Sequence, residues 1–179
     1  MKKVKLYIAA SLDGFIARKD HSLDWLDALP NPEKTDYGYY AFYESIDTVL
    51  MGRSTYEVIL GFDVDWPYPD AQTIIFSRSS EVNITTPNTR LVNEDIKTYV
   101  TKLRQEKGKD IWLAGGGQLV TSFLNEGLID EMIVSITPVI LGEGVPLFAQ
   151  TPKETKLKLT DAQHFGSGMV NVTYTVIKD

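Results

Sequence analysis

An α/β domain built on a mixed, mainly parallel sheet is the fold class this sequence predicts. Three observations predict it. Apolar runs of strand length recur at 4–10, 48–51, 73–76, 89–92 and 110–114, and helical patterns lie between several of them. After residue 131 the helical patterns stop while strand patterns continue. Strand and helix in alternation require parallel crossovers with helices on both faces, and a helix-free tail adds an antiparallel edge.

Each element has its own signature. The opening MKKVKLYIAASLDG has the lysines of a secretory leader, but its apolar stretch stops at Ser11 and Asp13, short of the roughly 7–15 apolar residues a leader needs. It reads as a buried strand. Asp13-Gly14 reads as a β-turn rather than a substrate contact. Residues 18–35, polar and interrupted by Pro30 and Pro32, form either a surface loop or a lid. DYGYYAFYESI (36–46) reads as a helix presenting Tyr39, Tyr40, Phe42, Tyr43 and Ile46. TVLMG then leads into the helix RSTYEVI, where Ser54 and Glu57 fit a capping box. In DIKTYVTKLRQEKG, Ile96, Tyr99, Val100 and Leu103 keep helical spacing, with Asp95 as cap and Gly108 as stop. The helix 118–126 carries Leu119, Val120, Phe123 and Leu124 on one face and ends at Gly127. EMIVSITPVILG (131–141 in its apolar part) reads as a strand in which Pro138 marks a bulge or an edge. KLKLTDAQHF and the alternating MVNVTYTVIK complete the antiparallel side.

Length and composition narrow the function. A chain of 179 residues supports one domain, 1–179. Its formal net charge is −6 and its cations are scattered, which argues against a nucleic-acid surface. Without cysteine, disulfides, thiolate nucleophiles and Cys-based zinc sites are excluded, and two histidines make no histidine-rich metal centre. No stretch approaches the roughly 20 apolar residues of a membrane span, so a cytoplasmic location is expected.

Ligands of open α/β sheets bind beyond the carboxyl ends of the strands, and three such ends look alike. MG runs into Arg53, Ser54 and Thr55; IIF runs into Ser77 and Arg78; IWLA runs into Gly115, Gly116 and Gly117. A helix N-terminus offers unpaired amides and partial positive charge to an anion, and small residues let it approach. The glycines serve either such a ligand or a tightly packed turn. Two arginines and two glycine-bearing turns on one rim favour a ligand with several phosphates. The dinucleotide fingerprint G-x-G-x-x-G is absent after the first strand, so a nicotinamide cofactor would bind in a different manner.

MGRSTYEVI (51–59), TIIFSR (73–78) and LAGGGQLVTSFL (113–124) resemble the three cofactor-binding segments of the dihydrofolate reductase fold, while SLDGFIA (11–17) and TPVILGEGVPLF (137–148) resemble the reductase domain of the bifunctional riboflavin-biosynthesis deaminase-reductases. The resemblance covers nearly the whole chain. It implies a three-layer fold around an eight-stranded sheet, an NADPH-dependent reductase of a small heterocycle or else a non-catalytic nucleotide-binding module of the same fold, and pairing of two copies as a homodimer. It places Arg53, Ser77 and Arg78 near the adenosine 2′-phosphate and Gly115, Gly116, Gly117 and Gln118 on the diphosphate. Gly52, Ser54, Thr55 and Leu119 belong to the same segments, and Ala10 and Ile16 would border the nicotinamide.

Asp36 stands where the resemblance puts the substrate-binding carboxylate. Against its aromatic helix it would have a raised pKa and could donate a proton; it also suits a helix N-cap. Tyr40, Tyr43, Trp25 and Phe62 are the candidate walls of the substrate pocket, Trp25 being equally suited to anchor a loop. Ala71 occupies the place where dihydrofolate reductases carry an arginine for the folate tail. A substrate smaller or less anionic than folate follows, or a ribosylamino-pyrimidine.

Overall fold

The computed structural model describes residues 1–178. The chain runs β1 (Val4–Ser11), β2 (Phe15–Ala17), α1 (Asp24–Asp27), α2 (Tyr39–Glu44), β3 (Ile46–Gly52), α3 (Arg53–Leu60), β4 (Gln72–Phe76), β5 (Thr89–Val92), α4 (Ile96–Leu103), β6 (Asp110–Gly115), α5 (Gly117–Asn125), β7 (Glu131–Thr137), β8 (Val145–Pro146), β9 (Leu157–His164) and β10 (Val170–Val176). Eight strands form one sheet in the order β5-β4-β3-β6-β1-β7-β10-β9. From β5 to β7 every pairing is parallel, and β10 pairs antiparallel with both β7 and β9. The expected antiparallel side is therefore present.

Apolar residues cover both faces. On one, Leu6, Leu50, Ile74 and Leu113 meet Tyr99, Val100 and Leu103 of α4 and Val120 and Phe123 of α5. On the other, Val49, Met51 and Ile75 meet Phe42 of α2 and Tyr56 and Ile59 of α3. This is the three-layer arrangement. Truncating a fully buried side chain such as Phe123 would cost about 3–5 kcal/mol.

Three local readings need correction. The strand expected over 131–141 ends at Thr137. Because β7 is hydrogen-bonded on both sides, Pro138 has no place in it and ends it. The helix expected from Asp36 begins at Tyr39, since Tyr37 and Gly38 have φ of 56° and 84°, outside any helix. Ser54 caps nothing: α3 has Gly52 at its N-cap with no side-chain bond, and Glu57 pairs with Arg53 at 2.6 Å.

A two-stranded ribbon was not anticipated. β2 pairs antiparallel with β8, each being too short to show a period. Asp13 anchors its turn: the carboxylate accepts from Ser11 Oγ at 2.6 Å, Leu141 N at 3.0 Å and Gly142 N at 2.7 Å. Its role is structural, as the turn reading expected.

Candidate active site

The strand ends of β1, β3, β4 and β6 open onto one groove of about 1020 Å³. Arg53, Ser54 and Thr55 line it after β3, Ser77 and Arg78 after β4, and Gly116, Gly117, Gln118 and Leu119 after β6. The three look-alike ends of the sequence thus share one surface. Gly52, Ile16 and Phe62 line it as well.

The helix starts around this groove differ in a telling way. α4 is capped by its own Asp95, whose carboxylate accepts from Thr98 N at 2.8 Å. Neither α3 nor α5 has a side-chain cap. Their first-turn amides remain open to an outside acceptor, and Arg53 and Arg78, both exposed, flank them.

The three glycines answer to different constraints. Gly115 has φ +124°, a conformation that L side chains rarely adopt. A Cβ on Gly117 would collide with the carbonyl oxygen of Pro146 in β8, so this glycine lets the ribbon lie against α5. Gly116, with φ −81°, would bring a Cβ to 3.2 Å from Thr55 Oγ1, inside the groove. Backbone conformation accounts for Gly115 and packing against the ribbon for Gly117, while Gly116 faces the groove in close contact with the Thr55 side chain. Gly115 itself is buried and does not line the groove.

At β1 the groove meets a second, smaller cavity of about 360 Å³, with Ile8, Ala9 and Leu26 common to both. Tyr7, Tyr37, Tyr39 and Trp112 supply aromatic walls, Ser135 and Met169 part of the remaining lining, and Asp36 lies among the lining residues. Leu26, Leu29 and Asn31 come from the 18–35 segment, and Leu26 stands at the junction of the two cavities.

Asp36 differs from its expected state. Its Oδ2 accepts from Tyr40 N at 2.9 Å and its Oδ1 from Gly38 N at 3.1 Å. These backbone bonds, Tyr40 first, pull its pKa below the ordinary value, and its exposure leaves burial little opposing weight. The expected raised pKa is thus overturned: Asp36 caps α2 as an anion and also faces the cavity. Burial instead pushes Tyr39 up to about 12 and raises Tyr7, so both phenols stay neutral.

Four other expected positions lie off the two cavities. Ala10 is buried in the core, and Ile8 and Ala9 of the same strand line the groove. Trp25 packs inward and is 6% exposed. Tyr40 is 69% exposed on the solvent side of α2. Tyr43 stacks on Tyr39, with ring centroids 5.9 Å apart, as part of the second core cluster.

The residues missed had one available signal, a polar side chain inside an apolar strand. Ser135 interrupts IVSIT and Asn171 interrupts MVNV; the two are paired across β7 and β10. Asn171 Nδ2 donates to the Tyr37 carbonyl at 2.7 Å, and Tyr7 Oη donates to the same oxygen at 3.2 Å. Together they fix the left-handed turn that carries Asp36.

The model of the RibD C-terminal domain family matches residues 2–171. The chain belongs to the RibD C-terminal domain family. Among its relatives, the uncharacterized protein YwjB of Bacillus subtilis is 42% identical over 168 residues, 94% of this chain and 95% of that protein. A structure from Shewanella sp. PV-4, named for riboflavin biosynthesis, superposes with a TM-score of 0.88 at 32% identity, covering 99% of this RibD-like chain and 100% of the other. The Thermotoga maritima diaminohydroxyphosphoribosylaminopyrimidine deaminase/5-amino-6-(5-phosphoribosylamino)uracil reductase gives 0.70 at 18% identity, over 98% of this chain and 57% of its own. Dihydrofolate reductase of Enterococcus faecalis, complexed with NADP(H), gives 0.69 at 11% identity, over 98% of this chain and 97% of its own. These last two likenesses concern the fold, which is the dihydrofolate reductase-like one.

Proposed function

We propose that this RibD-like chain is a single-domain, NADPH-dependent reductase that transfers hydride to a C=N or C=O group of a small heterocycle. One observation carries the reading: two uncapped helix starts and two exposed arginines share a long groove that ends, at Ile8 and Ala9, on a small aromatic cavity. The groove fits the cofactor. Arg53 and Arg78 would hold its 2′-phosphate, Gly52, Ser54, Thr55, Ser77, Gln118 and Leu119 the neighbouring adenosine and diphosphate, and Gly116 and Gly117 the close approach of backbone. Bound there, the dihydronicotinamide supplies the hydride. The chain's own contribution is position and exclusion of water. Ile8, Ala9 and Ile16 border the nicotinamide end, the aromatic walls orient a flat ring, and Leu26 and Leu29 cover it. Asp36, held anionic, anchors N–H groups of the substrate, and the proton that follows the hydride comes from solvent rather than from this carboxylate. A homodimer working in the cytoplasm, where NADPH is at hand, completes the proposal.

Calorimetric titration with NADPH, NADH, ATP and FMN tests it first. A clear preference for NADPH, followed by substrate-dependent loss of the reduced cofactor's absorbance, is the expected result. Failure of both nicotinamide cofactors to bind overturns it. Sedimentation tests the dimer separately, and a monomeric mass removes that part.

A further inference from the structure

The two connected cavities differ in charge. The groove carries Arg53, Arg78 and His21, whereas none of the described residues lining the small cavity is lysine, arginine or histidine. Among the described lining residues the one carboxylate is that of Asp36, whose backbone hydrogen bonds favour its charged form. Nearby cations are engaged elsewhere or turned away. Arg18 pairs with Asp24 at 2.6 Å and Lys19 with Glu143 at 2.5 Å, while Lys34, on the turn before Asp36, is exposed and does not line the cavity.

Several of the polar groups inside are spent on the protein itself. Asn31 spends its amide on Thr35, donating to the carbonyl at 2.8 Å and accepting from the amide at 3.0 Å. The Tyr7 hydroxyl hydrogen goes to Tyr37 O and the Trp112 Nε1–H to Tyr7 O at 3.0 Å. What remains for a ligand is the Asp36 carboxylate and the hydroxyls of Ser135, Tyr37 and Tyr39, that of Tyr37 having no partner within the protein. An anion here would meet a like charge at the edge and no cation among the described lining residues to balance it. A ligand bearing N–H groups or positive charge would find acceptors and aromatic faces.

We infer that the small cavity takes a heterocycle with no phosphate or other anionic substituent, recognised through its N–H donors at Asp36 and Ser135. The inference rests on the reductase reading in one respect, that the cationic groove is filled by the cofactor and closed to a substrate phosphate. It sets this chain apart from a reductase of phosphoribosylamino-pyrimidines, the compound class in the Thermotoga protein's name. A volume of about 360 Å³, near the lower end of ligand pockets, agrees with one ring system and a short substituent.

The test is calorimetric binding of 5-amino-6-(5-phosphoribosylamino)uracil and of its dephosphorylated counterpart to the whole protein, with and without saturating NADP⁺. The dephosphorylated compound is expected to bind roughly 3- to 10-fold more tightly, from the repulsion between a phosphate and the exposed Asp36 carboxylate. Asp36→Asn, which keeps one of the two acceptors used by the Gly38 and Tyr40 amides, should bring the two affinities close to equal. For the parent protein, equal affinities, tighter binding of the phosphate ester, or no binding of either compound overturns the inference. NADPH titration of the same preparation separates the two ideas. A preserved preference without NADPH binding would remove the reductase reading alone, and NADPH binding with preference for the ester would remove this inference alone.

Discussion

Replacing Gly117 by alanine should destabilise the protein without any ligand being present, and replacing Gly116 should not. The new Cβ at 117 would point into the Pro146 carbonyl oxygen and lie 3.2 Å from that of Leu147. Both obstacles are backbone, and β8 is held in turn by its pairing with β2 and by the Leu147 N to Gly14 O bond of 2.8 Å. Relief requires the ribbon to shift as a unit. Overpacking of this kind costs roughly 1–3 kcal/mol, and contact with backbone puts it near the upper end. Restricting the unfolded chain returns about 0.4–1 kcal/mol. A net loss of about 2 kcal/mol lowers Tm by roughly 4–8 °C in a chain of this size. Gly116→Ala meets only the side-chain oxygen of Thr55 and has a negative φ, so its Tm should stay within about 2 °C of the parent. Its cost should appear in dinucleotide affinity. Differential scanning fluorimetry of both variants, with and without NADPH, reads all four quantities. Equal melting of Gly117→Ala and parent would refute the packing account, and equal losses for both variants would refute the division of labour between the glycines.

Three further expectations concern the site. Arg53→Ala should weaken NADPH roughly tenfold while leaving NADH nearly unchanged, since one exposed charge-assisted contact to the 2′-phosphate is lost; equal losses in calorimetry would show that Arg53 does not read that phosphate. Because backbone bonds from Tyr40 and Gly38 depress the folded pKa of Asp36, its contribution to stability is complete above the ordinary carboxylate range and is lost as pH falls through the lower folded value. The Tm gap between parent and Asp36→Asn should accordingly close only in strong acid, and a gap closing between pH 5 and 7 would contradict the assignment. Tyr7→Phe removes one of two hydrogen bonds to the Tyr37 carbonyl; it should cost about 1 kcal/mol, or 2–4 °C, and raise the substrate KM more than that of NADPH, a split that initial rates would detect.

Much of the architecture was legible because it follows from periodicity. Tyr99, Val100 and Leu103 bury the face their spacing marks, and Asp95 caps the helix it precedes. The groove was legible because three strand ends carry small and cationic residues in a repeated pattern. What escaped depends on contacts across distant segments. β2 and β8 have three and two residues, and neither shows its pairing until the other is in place. Asp36 was misjudged because neighbouring aromatics suggest burial, whereas a left-handed Tyr37-Gly38 turn exposes the carboxylate and hands it two amides. The small cavity was invisible for a related reason: Tyr7, Trp112 and Ser135 come from β1, β6 and β7, and only the sheet order makes them neighbours.

The central place of β1 also sets a timetable for synthesis. Its parallel partners are β6 and β7, with Val4 opposite Ile111 and Lys5 opposite Glu131, so VKLYIAAS leaves the ribosome long before either exists. At about 5–20 residues per second the strand waits roughly 6–25 s for its second neighbour. An apolar strand with two free edges is an aggregation hazard for that whole interval. Lys2, Lys3 and Lys5 flank and interrupt it with charge, as gatekeepers do. Once the sheet closes, Lys2 pairs with Asp47 and Lys5 with Asp110 at 2.9 Å. Two of the three charges that guard the nascent strand, Lys2 and Lys5, become the ones that fasten it in place.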